Sequence, residues 1–105
     1  MTKLFIDTAA FLARYLQQDQ HHVRAQEVWR SLESQNLKLY TSNFVLDETL
    51  TLLGRRASYP FAAERARTFY SSSVLTLLRP NLADELSALD LFEKYADQRL
   101  SFTDC

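Results

Sequence analysis

The sequence predicts a single α/β domain, a three-layer α/β/α sandwich in which helices cover both faces of a short parallel sheet. Three observations carry this. Short apolar runs rich in strand formers recur near residues 4–6, 37–41 and 74–78, and stretches with apolar residues at helical spacing separate them. One Gly and two Pro in 105 residues leave little room for long irregular loops, so most of the chain belongs to regular elements. The length suits one compact domain, residues 1–105, with a modest core.

Leu4-Phe5-Ile6 is continuously apolar and ends at Asp7-Thr8, where a helix can begin, so it is predicted as a buried first strand. Thr8 to Leu16 places Ala9, Leu12 and Leu16 on a helix with Phe11 and Tyr15 beside them, and the polar run Gln17-Gln18-Asp19-Gln20 breaks it. From His21 to Ser34, the set Ala25, Val28, Trp29 and Leu32 has the spacing of an amphipathic helix. Leu37 to Thr41 alternates as a second strand, and Thr41 or Ser42 is placed to cap a third helix running to Arg56, with Gly54 in its last turns.

Tyr59-Pro60-Phe61 is predicted to lie between helices, and Pro60 suits the first turn of a fourth, whose apolar side is Phe61, Ala62, Ala66, Phe69 and Tyr70. Serines 71–73 interrupt it, and Val74 to Leu78 forms a third strand. Pro80-Asn81 opens a fifth helix with Leu82, Leu86, Leu89, Phe92 and Ala96 in period and Asp84 and Glu85 near its positive end. The order reads β-α-α-β-α-α-β-α. Ser101 to Cys105 then has the composition of one more helix start, a Ser or Thr cap with an acid in the first turn.

Twelve basic and thirteen acidic residues give a formal charge of −1, which excludes binding to nucleic acid through a global positive field and leaves only local contact. The one Cys, at 105, excludes an internal disulfide framework, and the short apolar N-terminus is neither a signal peptide nor a membrane span, so a cytoplasmic protein is expected. Arg55, Arg56, Arg65 and Arg67 are the only basic bias; the first two suit the negative end of a helix and the others an exposed face. His21 and His22 are adjacent, hence about 100° apart on a helix, and are expected to be exposed rather than to chelate a metal together. Gly-rich phosphate loops, nucleophile elbows and Cys/His zinc spacings are absent from the sequence.

The chemistry-bearing candidates are acids. Asp7 follows the first strand, where ligands of open parallel sheets bind, and position alone leaves ligand binding and helix capping both open. Glu48 has Phe44, Val45, Thr51 and Leu52 as its helical neighbours, which puts a carboxylate on a largely apolar face where it needs a cation, a hydrogen-bond network or an arginine. Asp104 falls in the first turn of the last helix start, where metal ligation or compensation of the helix dipole would explain it. Carboxylate clusters of this kind hold hard cations, and a bound Mg²⁺ or Mn²⁺ can activate water against a phosphodiester.

Phe5-Ile6-Asp7-Thr8, then Thr41-Ser42 through Asp47-Glu48, then Leu100-Ser101-Phe102-Thr103-Asp104-Cys105 resemble the PIN domain of VapC toxins in order and spacing, over essentially the whole chain. The resemblance implies a PIN-like sandwich and a Mg²⁺- or Mn²⁺-dependent endoribonuclease with Asp7, Glu48 and Asp104 as metal-binding and catalytic acids, supported by the hydroxyls of Thr8 and Thr103. It also implies an RNA substrate, a cognate antitoxin and a homodimer. PIN domains of this type continue past Cys105 with the rest of a helix, a further strand and another Asp, so the expectation is a domain incomplete at its C-terminus, with its first strand an exposed edge. The alternative expectation is a catalytically silent PIN-like remnant that serves only as a protein-binding module.

Overall fold

A computed structural model of the chain describes residues 2–35 and 37–105. Its strands are β1 (Thr2–Phe5), β2 (Leu37–Ser42) and β3 (Leu75–Leu78), and its helices are α1 (Thr8–Tyr15), α2 (His22–Glu33), α3 (Asn43–Arg56), α4 (Tyr59–Ser71) and α5 (Leu82–Lys94). The strands form one parallel sheet in the order β1-β2-β3, with Phe5 opposite Tyr40 and Leu39 opposite Leu75. The parallel α/β expectation is borne out, and because every strand runs the same way, their carboxyl ends meet at one end of the domain. None of the helices among the described residues is long and apolar enough to cross a membrane.

Local chemistry explains where the helices start. Ser42 caps α3, its hydroxyl accepting from Val45 N at 3.2 Å, and Ser58 caps α4 by accepting from Phe61 N at 3.2 Å. Asn81 and Asp84 form a reciprocal capping box at α5, each side chain accepting from the other's backbone N–H at 2.9 Å. Tyr59, Pro60 and Phe61 therefore belong to α4 itself, since a proline in the first turn forfeits no helical hydrogen bond.

The core lies where α1, α3 and α4 cover the sheet. Phe11 is its centre, with its ring centroid 5.0 Å from that of Phe69 and 6.1 Å from that of Trp29, among Ile6, Val45 and Leu46. A second cluster joins Leu12, Leu53 and Ala62 between α1, α3 and α4. Gly54 lets the two helices of the α3–α4 pair approach, because a Cβ there would sit 2.6 Å from the Tyr59 ring.

Several expectations are corrected by this packing. The first strand stops at Phe5, which is 52% exposed, and only Ile6 of that apolar run is buried. Of the apolar face of α2 only Trp29 is buried, and Val28 faces solvent. The third strand begins at Leu75, with Val74 exposed, and Tyr70 also points outward from α4. The fifth helix ends at Lys94, a separate 3-10 turn spans Ala96–Gln98, and none of the helix's residues is buried although its apolar period is regular. His22 is not a free exposed residue, since its Nδ1 lies 2.8 Å from Ala13 O. Arg65 is likewise half-buried, lying over the rings of Tyr15 and Phe61 and bonded to Glu64 at 2.9 Å.

Arg14 stacks on Trp29 at 4.3 Å and on Tyr15 at 5.3 Å, so Tyr15 sits between two guanidinium groups at the edge of the core. Burial nevertheless pushes the Tyr15 phenol above its ordinary 10.0, outweighing the lowering by Arg14 and Arg65. A raised folded-state value means that the fold prefers the neutral phenol, so this contribution is full below pH 10 and is lost as the pH rises through the folded value. Denaturant midpoints measured from pH 9 upward are expected to fall less steeply for Tyr15→Phe than for the parent chain.

Candidate active site

The three acids reach one cavity at the carboxyl end of the sheet. Asp7, Glu48 and Asp104 line it together with Thr8 and Thr103, and Phe5, Leu12, Val45 and Leu52 supply its apolar walls, around a volume of about 420 Å³. Each acid is delivered by a different element. Asp7 follows β1 and caps α1, its Oδ1 accepting from Ala10 N at 3.0 Å. Capping and lining the cavity are thus not alternatives for Asp7, because its Oδ2 remains for another partner.

Glu48 projects from the second turn of α3, half-buried, beside Val45 and Leu52. It has no ion pair among the described residues, so the arginine partner that could have explained it is not there. Asp104 accepts from Ser101 N at 3.0 Å through Oδ2 while its own N–H donates to Ser101 Oγ at 3.1 Å, the reciprocal arrangement of a helix start. Its Oδ1 is left over, as the Oδ2 of Asp7 is. Thr8 is buried and Thr103 half-buried at the cavity wall.

A residue not singled out as part of the site holds Asp7 in place. Thr41 is fully buried in β2, and its hydroxyl donates to Ile6 O at 2.8 Å, while Ile6 N donates to Tyr40 O at 2.7 Å. These two bonds fix both sides of the residue before Asp7. Thr41 was a candidate helix cap; the cap is Ser42, and Thr41 points into the sheet instead. Its signal in the sequence is a hydroxyl on the same face of β2 as Leu37 and Leu39, where burial demands a partner. Thr41→Val keeps the shape but orphans the Ile6 carbonyl, and is expected to cost about 1–3 kcal/mol in chemical denaturation, with Thr41→Ser recovering most of it.

The electrostatics of the cavity have a direct chemical consequence. Three carboxylates face it, and the two ion pairs of the described residues, Arg14–Glu33 and Arg65–Glu64, involve none of them. Such a cavity repels a phosphate unless a cation comes between. The donors are all oxygen, carboxylate and hydroxyl, which is the set preferred by Mg²⁺ and Mn²⁺ rather than by softer metals. Among the described residues no three His, Cys, Asp or Glu side chains converge into a ready-made ligand cluster. The type of donor is nevertheless the one a hard divalent ion takes, with Asp7 and Asp104 each holding one oxygen on a backbone N–H and leaving the other available.

Comparison with known proteins agrees with this architecture. The chain is 33% identical over 101 residues to a VapC ribonuclease of Archaeoglobus fulgidus, covering 94% of this chain and 64% of that protein. It thus spans less than two thirds of the length of that relative. Its structure matches the crystal structure of Mycobacterium tuberculosis VapC20, described as a Sarcin-Ricin loop cleaving toxin, with a TM-score of 0.85 and 30% identity, covering 96% of this chain and 75% of that one. The PIN domain family pattern matches residues 4–105, and with a match of that extent the chain belongs to the PIN domain family.

Proposed function

We propose that the chain is a metal-dependent endoribonuclease of the VapC type, with Asp7, Glu48 and Asp104 as the acids of its site. The observation that carries this is the single cavity at the carboxyl end of a parallel sheet onto which all three acids open without a cationic side chain to neutralise them. The similarity to a VapC ribonuclease and to a Sarcin-Ricin loop cleaving toxin supports RNA as the class of substrate.

Asp7, Glu48 and Asp104 would hold Mg²⁺ or Mn²⁺, which supplies neutralisation of the phosphate and a more acidic bound water. The protein's own part is positioning. Thr41 and β2 hold the backbone ahead of Asp7, the α1 cap orients its carboxylate, and the Ser101 cap does the same for Asp104. Thr8 and Thr103 offer hydroxyls beside two of the acids, suited to hold a carboxylate or a water. As a VapC-type toxin the protein would act in the cytoplasm, pair with a second copy of itself and be held by a cognate antitoxin.

The test is cleavage of a mixed RNA by the purified chain. Cleavage is expected with Mn²⁺ or Mg²⁺ and none after chelation, with Mn²⁺ binding visible by calorimetry. Neither binding nor cleavage in a folded preparation would overturn the proposal.

A further inference from the structure

The cavity of the acids continues into a second one of different character. The two share Phe5, Thr103 and Asp104, and the second encloses about 260 Å³. Its walls add the rings of Phe44 and Phe102, whose centroids stand 6.2 Å apart and edge-on, and the carboxylates of Asp84 and Glu85 from the first turn of α5. Asp84 is committed to the α5 cap through the oxygen that accepts from Asn81 N. Glu85 is half-buried, and it has no ion pair or side-chain hydrogen bond among the described residues.

We propose that this second cavity is a base subsite, taking the unstacked base that neighbours the scissile phosphate, and that it prefers guanine; the placement beside a scissile phosphate rests on the nuclease reading above. Phenylalanine rings offer apolar faces to the π-face of any base, which is how single-stranded RNA is held once its bases unstack. The exposed ring of Phe5, at the junction of the two cavities, allows a base and its own phosphate to occupy both at once. The acids then select. A carboxylate repels phosphate and the carbonyl edge of a base but accepts from N–H donors. Guanine presents two donors side by side, N1–H and N2–H, which a carboxylate can accept in a two-pronged pair. Uracil presents one N–H between two carbonyls, and adenine and cytosine present one amino group beside an acceptor nitrogen. Glu85, with both oxygens free among the described residues, is the group that distinguishes them.

The experiment is an NMR titration of the full chain with guanosine monophosphate and with uridine monophosphate, in the absence of divalent metal. Both carry the same phosphate, so its repulsion by the acids cancels in the ratio. Guanosine monophosphate is expected to bind roughly tenfold tighter, the scale of one charge-assisted pair, with shifts at Phe5, Ser42 and Glu85. Glu85→Gln should bring the ratio near one, since an amide offers a single acceptor, and Phe5→Leu should weaken both nucleotides by a similar factor. Equal binding of the two nucleotides, or shifts confined to another face, would overturn the subsite. A separate cleavage assay keeps the two ideas apart: guanine preference without cleavage supports the subsite and removes the nuclease, whereas cleavage without guanine preference removes the subsite alone.

Discussion

Asp7→Asn is expected to lower metal-dependent RNA cleavage by at least ~100-fold, since even residues that only orient metal ligands cost 10–100-fold when removed. The substitution is informative because the cap and the proposed metal contact would use different oxygens of Asp7. Its Oδ1 accepts from Ala10 N and so starts α1, and an asparagine Oδ1 serves there equally well. What Asn removes is the negative charge and the second anionic oxygen, the one not engaged in the cap. Thermal denaturation should therefore coincide with that of the parent chain while Mn²⁺ affinity and initial cleavage rates on a fluorescent RNA collapse. Asp7→Ala should show the same loss and, in addition, a destabilisation of about 1 kcal/mol from the lost cap. Full activity in Asp7→Asn would remove Asp7 from the site and leave it a helix cap only.

Why the sequence could place Asp7 at the junction of β1 and α1, and other features less well, follows from the range of the forces involved. Caps are local: Ser42, Asn81 and Pro60 announce their helices because the groups they satisfy lie within four residues. The parallel order of the strands is nearly as legible, since paired helices between short strands leave few other topologies, and from it follows that acids at the ends of β1 and in the first half of α3 open on one end of the sheet. Periodicity tells which residues share a face but not what covers that face. The apolar residues of α2 and α5 are the example: Trp29 finds Phe11, whereas Val28, Leu82, Leu86 and Leu89 have the same spacing and stay exposed. Contacts between residues far apart in the chain were not legible at all, among them Thr41 to Ile6 and Arg65 over Tyr15. The cavity that Phe5 shares with the distant Phe102 and Thr103 belongs to the same class.

Phe11→Ala is expected to cost about 3–5 kcal/mol, a large part of the roughly 5–15 kcal/mol that holds a domain of this size together. The ring is 1% exposed and touches the core from three elements, since Trp29 comes from α2, Phe69 from α4 and Val45 from α3. Truncation leaves a void that none of these neighbours can fill without moving its own helix. Phe11→Leu keeps most of the volume and should cost much less, though it gives up the ring contacts with Phe69 and Trp29. The comparison with Asp7→Asn then separates scaffold from chemistry, because α1 carries both residues' consequences: its first turn begins at the cavity and its second buries Phe11. Activity in Phe11→Ala should fall in step with the folded fraction measured by denaturation, and recover at lower temperature as that fraction rises. Asp7→Asn should lose activity at every temperature at which the chain is fully folded. Parent-like stability in Phe11→Ala would mean that α1 is held by its caps rather than by its buried face, and the positioning of Asp7 would then rest on Thr41 and the strand junction instead.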